Sequence, residues 1–298
     1  MLQEITSSAH KQDAQRLLQG ALTKALPSQG HLGITYRGGG GIHPVWSNGP
    51  GQLYYSYGAP QPDQAVRRYW NAFGHFAKTG KQRIIVEVNI PERANETGTE
   101  GFLARDPSSG LTLLMHSGRM GGGVRNLTKA AYFAWSGDTP LVITRNGATR
   151  TGVIVAVVGS RDMIAQIAEF VRRVAAFKDD LNTGLLENPD FRRQSSEAET
   201  LLKEYIGTKS GRRAAEFSYE TYHGAVVEAL IEERTPTLRP GEKLRKTILK
   251  DLFVMKGKKM IEVWEVKSKT DRQSLYGAIG QLITHSAASA GVVARTLV

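Results

Sequence analysis

Read for the spacing of its apolar positions, the chain opens with a helix. Ala14, Leu17, Leu18, Ala21, Leu22 and Leu26 return at helical intervals through residues 5–26, and the Pro and Gly of PSQG end the run. Strand-like pieces follow, punctuated by glycine: HLGITYR (31–37), LYYSYG (53–58), RIIVEVNI (83–90), LTLLMHS (111–117), AYFAW (131–135), PLVITR (140–145) and GVIVAVVG (152–159). Two segments read as helices among them. DQAVRRYWNAFGHFAK (63–78) places Val66, Tyr69, Trp70 and Phe73 on one side, and DMIAQIAEFVRRVAAF (162–177) carries a stripe of Ile164, Ile167, Phe170, Val171 and Val174. The pattern predicts an α+β N-terminal domain with a mostly antiparallel sheet over residues 1–185.

Periodicity fades in KDDLNTGLLENPDFRRQSS (178–196), where Asn, Pro, Asp and Ser gather, and the domain boundary is placed there. Residues 197–298 then read as helix, strand, strand, helix, strand. The first helix runs from about Glu197 to Arg234 with a break expected near GTKSG. TILKDLFVM and MIEVWEVKS form a hairpin across the turn KGKK, RQSLYGAIGQLITHSA is the next helix, and GVVARTLV is a terminal strand.

Composition narrows the chemistry. The 298 residues are 40% hydrophobic and 22% charged, an ordinary globular balance, but the formal net charge is +11 and both halves share the surplus. A basic balance of this kind fits a polyanionic partner, nucleic acid foremost, and equally a basic protein with no such partner. The absence of cysteine excludes disulfides, thiolate metal sites and cysteine nucleophiles. The N-terminal stretch lacks the apolar core of a signal peptide, and GVIVAVVG is too short to span a bilayer. A cytoplasmic protein with no membrane association is the expectation.

The hairpin carries the most legible chemistry. Glu265 and Lys267 are two apart on one strand and share a face, and Asp251 lies on the strand before them with thirteen residues between it and Glu265. Two carboxylates and a lysine on adjacent strands can hold a hard divalent ion and position a water beside it. A solvated, charge-decorated strand would give the same two-residue spacing. Ile261 and Val263 on the charged side, with Trp264 and Val266 opposite, instead read as a strand covered on both faces.

Asp251-x13-Glu265-x-Lys267, within KDLFVMKGKKMIEVWEVKS, resembles the signature of the PD-(D/E)xK nuclease superfamily, the fold of many restriction endonucleases. Position 250 is Lys where the family name has proline. AIGQL in the next helix, with Tyr276 just before it and Gln281 within it, is similar to the helix that follows the Glu-x-Lys strand in that superfamily. The resemblance covers residues 213–298. It implies a restriction-endonuclease-like α/β core with Asp251 and Glu265 as metal ligands, Lys267 as the activator of water, and Gln281 facing the site. Mg2+ is the implied cofactor, with Mn2+ as a substitute. Glu220, His223 and Glu228 are the candidates on the preceding helix: Glu220 is favoured as a supporting carboxylate, His223 fits either a site or a structural role, and Glu228 points away from the apolar face. The expected activity is hydrolysis of double-stranded DNA, leaving a 5′-phosphate and a 3′-hydroxyl. A structure-specific repair nuclease and a non-catalytic DNA-binding defence protein are the rival readings. Double-strand cutting with one site per chain favours a homodimer.

The first half is less explicit. RGGGG (37–41), KTGK (78–81) and SGRMGGGVR (117–125) lack the spacing of a P-loop. In the last of these, Arg119 and Arg125 bracket glycines, Lys129 follows, and Tyr132, Phe133 and Trp135 lie beyond. Such a segment could contact DNA phosphates and stack on a displaced base, or it could be a glycine hairpin followed by core aromatics. Trp46, Tyr54, Tyr55 and Tyr57 invite the same two readings. His31, His43, His75 and His116 have no metal-ligand spacing and read as structural. The first domain is expected to choose the DNA site or sense a modified base, and the second to cut.

Overall fold

The structure, a computed structural model, describes residues 2–36, 39–120, 127–138, 140–207, 226–227, 229–247, 250–267, 272–287 and 293–298. It is mixed α+β with mostly antiparallel sheets and divides into two compact units. The first comprises Met1–Tyr132 with Pro140–Gly211, and the second Phe133–Thr139 with Arg212–Val298. No helix among the described residues is long and apolar enough to cross a membrane.

Two sheets build the first unit. Five strands close a barrel in the order β1 (Leu2–Glu4), β11 (Leu141–Arg145), β12 (Ala148–Val157), β10 (Thr112–His116) and β9 (Gly101–Arg105). β1 completes the closure, parallel to β11 and antiparallel to β9. Its buried Glu4 is held by Arg145 and Arg150, each at 3.4 Å, so a carboxylate on this three-residue strand is paired by two arginines. Phe102, Leu103, Leu113, Leu114, Met115 and Ile143 are buried, so these strands read as apolar runs with little alternation.

The second sheet has the order β6 (Gln82–Arg83), β2 (Ser28–Tyr36), β3 (Gly39–Ser47), β4 (Leu53–Gly58), β5 (Arg68–His75), β7 (Val86–Glu87), with β8 (Ile90–Pro91) pairing β5 off this path. Helix α1 (Ser8–Ala25) buries Leu18 and Leu22. It also sends Gln15 inward to meet Asn71 in a reciprocal amide pair, 2.9 Å in each direction. The Tyr55 hydroxyl donates to the same Asn71 oxygen at 2.8 Å, and the Asn71 backbone N–H donates to Asn89 Oδ1 at 3.1 Å. This buried polar group is internally satisfied and fixes β4, β5 and α1 to one register.

Three sequence-based elements change character. Residues 63–78, expected to be helical, contain strand β5, paired with β4 from Leu53↔His75 to Gly58↔Trp70. The aromatic spacing fitted a helix, but a short run of this kind fits both periods, and cross-strand packing decides. AYFAW, expected as a strand, lies in α2 (Lys129–Ser136), where Ala130, Ala131 and Ala134 favour the helix and Tyr132 and Phe133 are fully buried. The supposed boundary loop is mostly helical: α3 (Met163–Asn182) continues through its start, and α4 (Pro189–Gly207) begins inside it. Asn188 Oδ1 accepts from the N–H of Asp190 at 2.9 Å, with Pro189 next in line, so the Asn-Pro read as loop punctuation is a helix start.

The second unit carries a sheet ordered β13 (Glu242–Thr247), β14 (Lys250–Lys256), β15 (Lys259–Glu265), β16 (Ala294–Leu297). The first three strands form an antiparallel meander, and β16 returns parallel to β15 after helix α5 (Arg272–Ala287). β13 was not expected, because EKLRKT is too polar to show an apolar pattern. Before it, residues 229–234 are helical. Arg234 from that segment makes a two-pronged ion pair with Glu262 on β15, at 2.8 and 3.0 Å. Phe253, Met260, Val263, Leu282 and Val293 form the core between sheet and α5.

Candidate active site

The β14–β15 pairing runs Phe253↔Val263 and Leu252↔Trp264, so one further step sets Asp251 opposite Glu265. Residues opposite one another in an antiparallel pair share a face. The backbone around Glu265 is held from both sides. Val266 N–H donates to Asp251 Oδ2 at 2.7 Å, Lys267 N–H donates to the Val298 carbonyl at 2.8 Å, and Val298 N–H donates to the Glu265 carbonyl at 2.9 Å. These bonds extend strand geometry past the end of β15, which keeps Glu265 and Lys267 on one side.

Glu265 is 2% exposed. Its Oε1 accepts from Lys267 Nζ at 2.6 Å, and the same ammonium donates to Gln281 Oε1 at 2.8 Å. Gln281 belongs to α5, which packs on β15 through Val263 and Leu282. The apolar helix–sheet contact therefore fixes the helix that positions the lysine. Charge on the opposite face of β15 is satisfied separately: its carboxylate partner raises the Arg234 guanidinium further above its usual range, and the backbone N–H of Arg239 holds the Glu242 carboxyl below the usual carboxylate range.

Asp251, Glu265, Lys267 and Gln281 thus meet in one hydrogen-bonded group. Glu220, His223 and Glu228 lie outside the described residues, as does Arg125. Among the described residues no three His, Asp or Glu side chains gather as a ready-made metal cage. Two facing carboxylates remain the available set of hard oxygen donors.

The candidate residues from the N-terminal half of the chain separate. Arg119 is exposed just beyond β10. Lys129 is half-buried, and its Nζ donates to Thr151 Oγ1 at 2.9 Å, with burial lowering its pKa from the usual ammonium range. Tyr132, Phe133, Tyr54 and Tyr55 are core aromatics with no surface to offer a base, while Trp46 and Tyr57 stack on each other at 5.4 Å. A cavity of about 750 Å3 in the first unit is lined by residues from both sheets and α3, among them Arg68, Arg83, His116, Arg119 and Lys178. Sequence reasoning found only Arg119 of these. The others are scattered along the chain, and topology alone brings them together. His116 is buried and neutral: burial first, then the charges of Lys178 and Arg150, push its pKa down to about 3, and its Nδ1 accepts from Gly118 N–H at 3.1 Å. No protein-family model matches the chain, and neither does a curated protein or a solved structure.

Proposed function

We infer that the chain is a metal-dependent DNA endonuclease whose second unit hydrolyses the phosphodiester and whose first unit selects the DNA. The observation that carries this reading is the contiguous group of Asp251, Glu265, Lys267 and Gln281 at one end of the β14–β15 ladder. An enclosed carboxylate–ammonium pair adds little stability over apolar residues of similar volume, and a site that uses it accounts for its presence. The mixed sheet of a three-strand meander with a fourth strand returning parallel after a helix supports the same reading.

The donor set fits Mg2+ or Mn2+. Asp251 and Glu265 would supply the carboxylate oxygens, with water and phosphate completing the shell. When bound, the ion would neutralise charge on the scissile phosphate and lower the pKa of a nearby water. The protein's own groups do the rest. Lys267 has three N–H donors. Among the described residues two are directed to Glu265 and Gln281, so the third can meet a phosphate oxygen or the attacking water. Gln281 holds the ammonium in place without neutralising it. Asp251 ties down the backbone between Glu265 and Lys267 and so fixes the spacing of acid and base.

Digestion of unmodified and methylated genomic DNA with Mg2+, followed by sequencing of the ends, tests the activity and its dependence on modification. Fragments with 5′-phosphate ends are expected. Asp251→Ala and Lys267→Ala should each lower the cleavage rate by about 10²-fold or more while DNA binding in EDTA persists. Cleavage at the wild-type rate by either variant would overturn the assignment.

A further inference from the structure

The first-unit cavity has no part in the hydrolytic chemistry, yet its lining is specific. Thr35 and Tyr36 of β2 and the segment 83–87 come from the seven-stranded sheet, His116 comes from the barrel, and Lys178 comes from α3. Its volume of about 750 Å3 falls within the range of small-molecule sites, roughly 300–1,000 Å3. Arg83 and Arg119 line it, both exposed, and among the described residues neither has an ion-pair partner. Arg68 and Lys178 add two further cations, the Lys178 Nζ anchored to the Ile85 carbonyl at 2.6 Å.

The same cavity holds two carboxylates. Glu87 accepts from Asn89 Nδ2 at 2.7 Å, and Glu100 accepts from the Ser117 hydroxyl. These acids disfavour a ligand that is anionic throughout, but suit one with an anionic end and an N–H-bearing end. Tyr36, 40% exposed at the cavity and edge-on to Trp70 at 6.3 Å, offers an aromatic surface. Arginine forks recognise phosphate, carboxylates accept from the amino groups of bases, and aromatic faces stack on them.

We propose that this cavity is a nucleotide pocket, taking one nucleoside monophosphate unit with its phosphate at Arg83 and Arg119 and its base toward Glu87 and Glu100. The unit can come from solution or from a duplex that extrudes it, and only the second source rests on the nuclease reading. Extrusion is least costly at a mismatch.

The test uses the full chain in EDTA, so binding is read without cleavage. One arm titrates the four deoxynucleoside monophosphates, with inorganic phosphate as a control. The other follows the fluorescence of 2-aminopurine placed in a mismatch within a duplex. The wild-type protein is expected to bind in at least one arm, with monophosphates held tighter than phosphate. Arg83→Ala with Arg119→Ala should weaken that binding by about tenfold per arginine. Arg83→Lys with Arg119→Lys keeps the charge and should recover part of the loss. Loss in the monophosphate arm supports a soluble nucleotide as ligand, and loss of the 2-aminopurine signal supports an extruded one. Binding unchanged by the double alanine variant in both arms, or absent in both for the wild type, overturns the pocket. Lys267→Ala, which removes hydrolysis under the nuclease reading, should leave both arms unchanged. Failure of cleavage and failure of the pocket are therefore separate results.

Discussion

At the scale of single residues, the Glu265–Lys267 pair is the sharpest stability feature of the second unit. Two enclosed opposite charges roughly offset their own desolvation, but one without the other does not. Lys267→Met should therefore lower the unfolding free energy by about 3 kcal/mol, and adding Glu265→Gln should restore most of it. Urea unfolding of the two variants measures this, and additive losses would show that the two side chains do not act as a pair. His116 makes a second prediction, in pH. Its folded pKa of about 3 lies below the ordinary 6.5, so between these values the unfolded chain binds a proton that the folded chain does not. Its contribution is fully present above 6.5 and is lost as pH falls toward 3, amounting to about 2 kcal/mol by about pH 5. His116→Gln removes this proton uptake, so its stability should fall less steeply with acid. An acid limb as steep as that of the wild type would show that other groups set it.

At the scale of elements, backbone approaches decide what side chains can reach. A Cβ on Gly74 of β5 would lie 2.5 Å from the Arg83 carbonyl and 2.6 Å from the Tyr54 ring, which is fully buried. Gly74→Ala must therefore push β6 away from β5. The change should cost about 1–3 kcal/mol and weaken nucleotide binding by displacing the Arg83 backbone. Urea unfolding and monophosphate titration check the two effects, and a stable variant with unaltered binding would show that β6 need not hold this position. The same local geometry explains which elements were legible in the sequence. The α1 and α3 stripes were clear because each buries one continuous face, with Leu18 and Leu22 in the first and Ile167, Phe170 and Val174 in the second. β15 was clear because Glu265 and Lys267 interrupt an apolar run at strand spacing. β5 was misread because Asn71, its polar centre, is buried through partners on α1 and β4, and no local pattern encodes such pairing. β3 was hidden by its glycines and β13 by its charges. The Asp251, Glu265, Lys267 and Gln281 group could be read because its residues lie within one hairpin and the following helix. The cavity could not, because its residues are contributed from Thr35 to Lys178.

At the scale of the whole molecule, a formal charge of +11 and a two-unit division give the nuclease reading a separable pair of properties. If the first unit selects DNA and the second cuts it, affinity and cleavage should respond to different substitutions. In EDTA, Asp251 and Glu265 place negative charge where a phosphate must lie, so Asp251→Asn should bind duplex DNA at least as tightly as the wild type while cutting nothing in Mg2+. Arg83→Ala with Arg119→Ala should do the reverse: weaker binding, and a residual cleavage rate at saturating DNA close to that of the wild type. The affinity itself should be electrostatic. A protein that neutralises six to ten phosphates loses about 10³- to 10⁵-fold in affinity between roughly 50 and 200 mM salt, and the basic surplus here is sufficient for contacts on that scale. Fluorescence anisotropy of a labelled duplex across that range measures the slope. A nearly flat response would mean that the surplus charge is spread where DNA does not reach, and would remove the broad basic surface from the account of recognition. A steep response retained by Asp251→Asn and shallower by about one unit in the double arginine variant would assign one phosphate contact to the first-unit cavity.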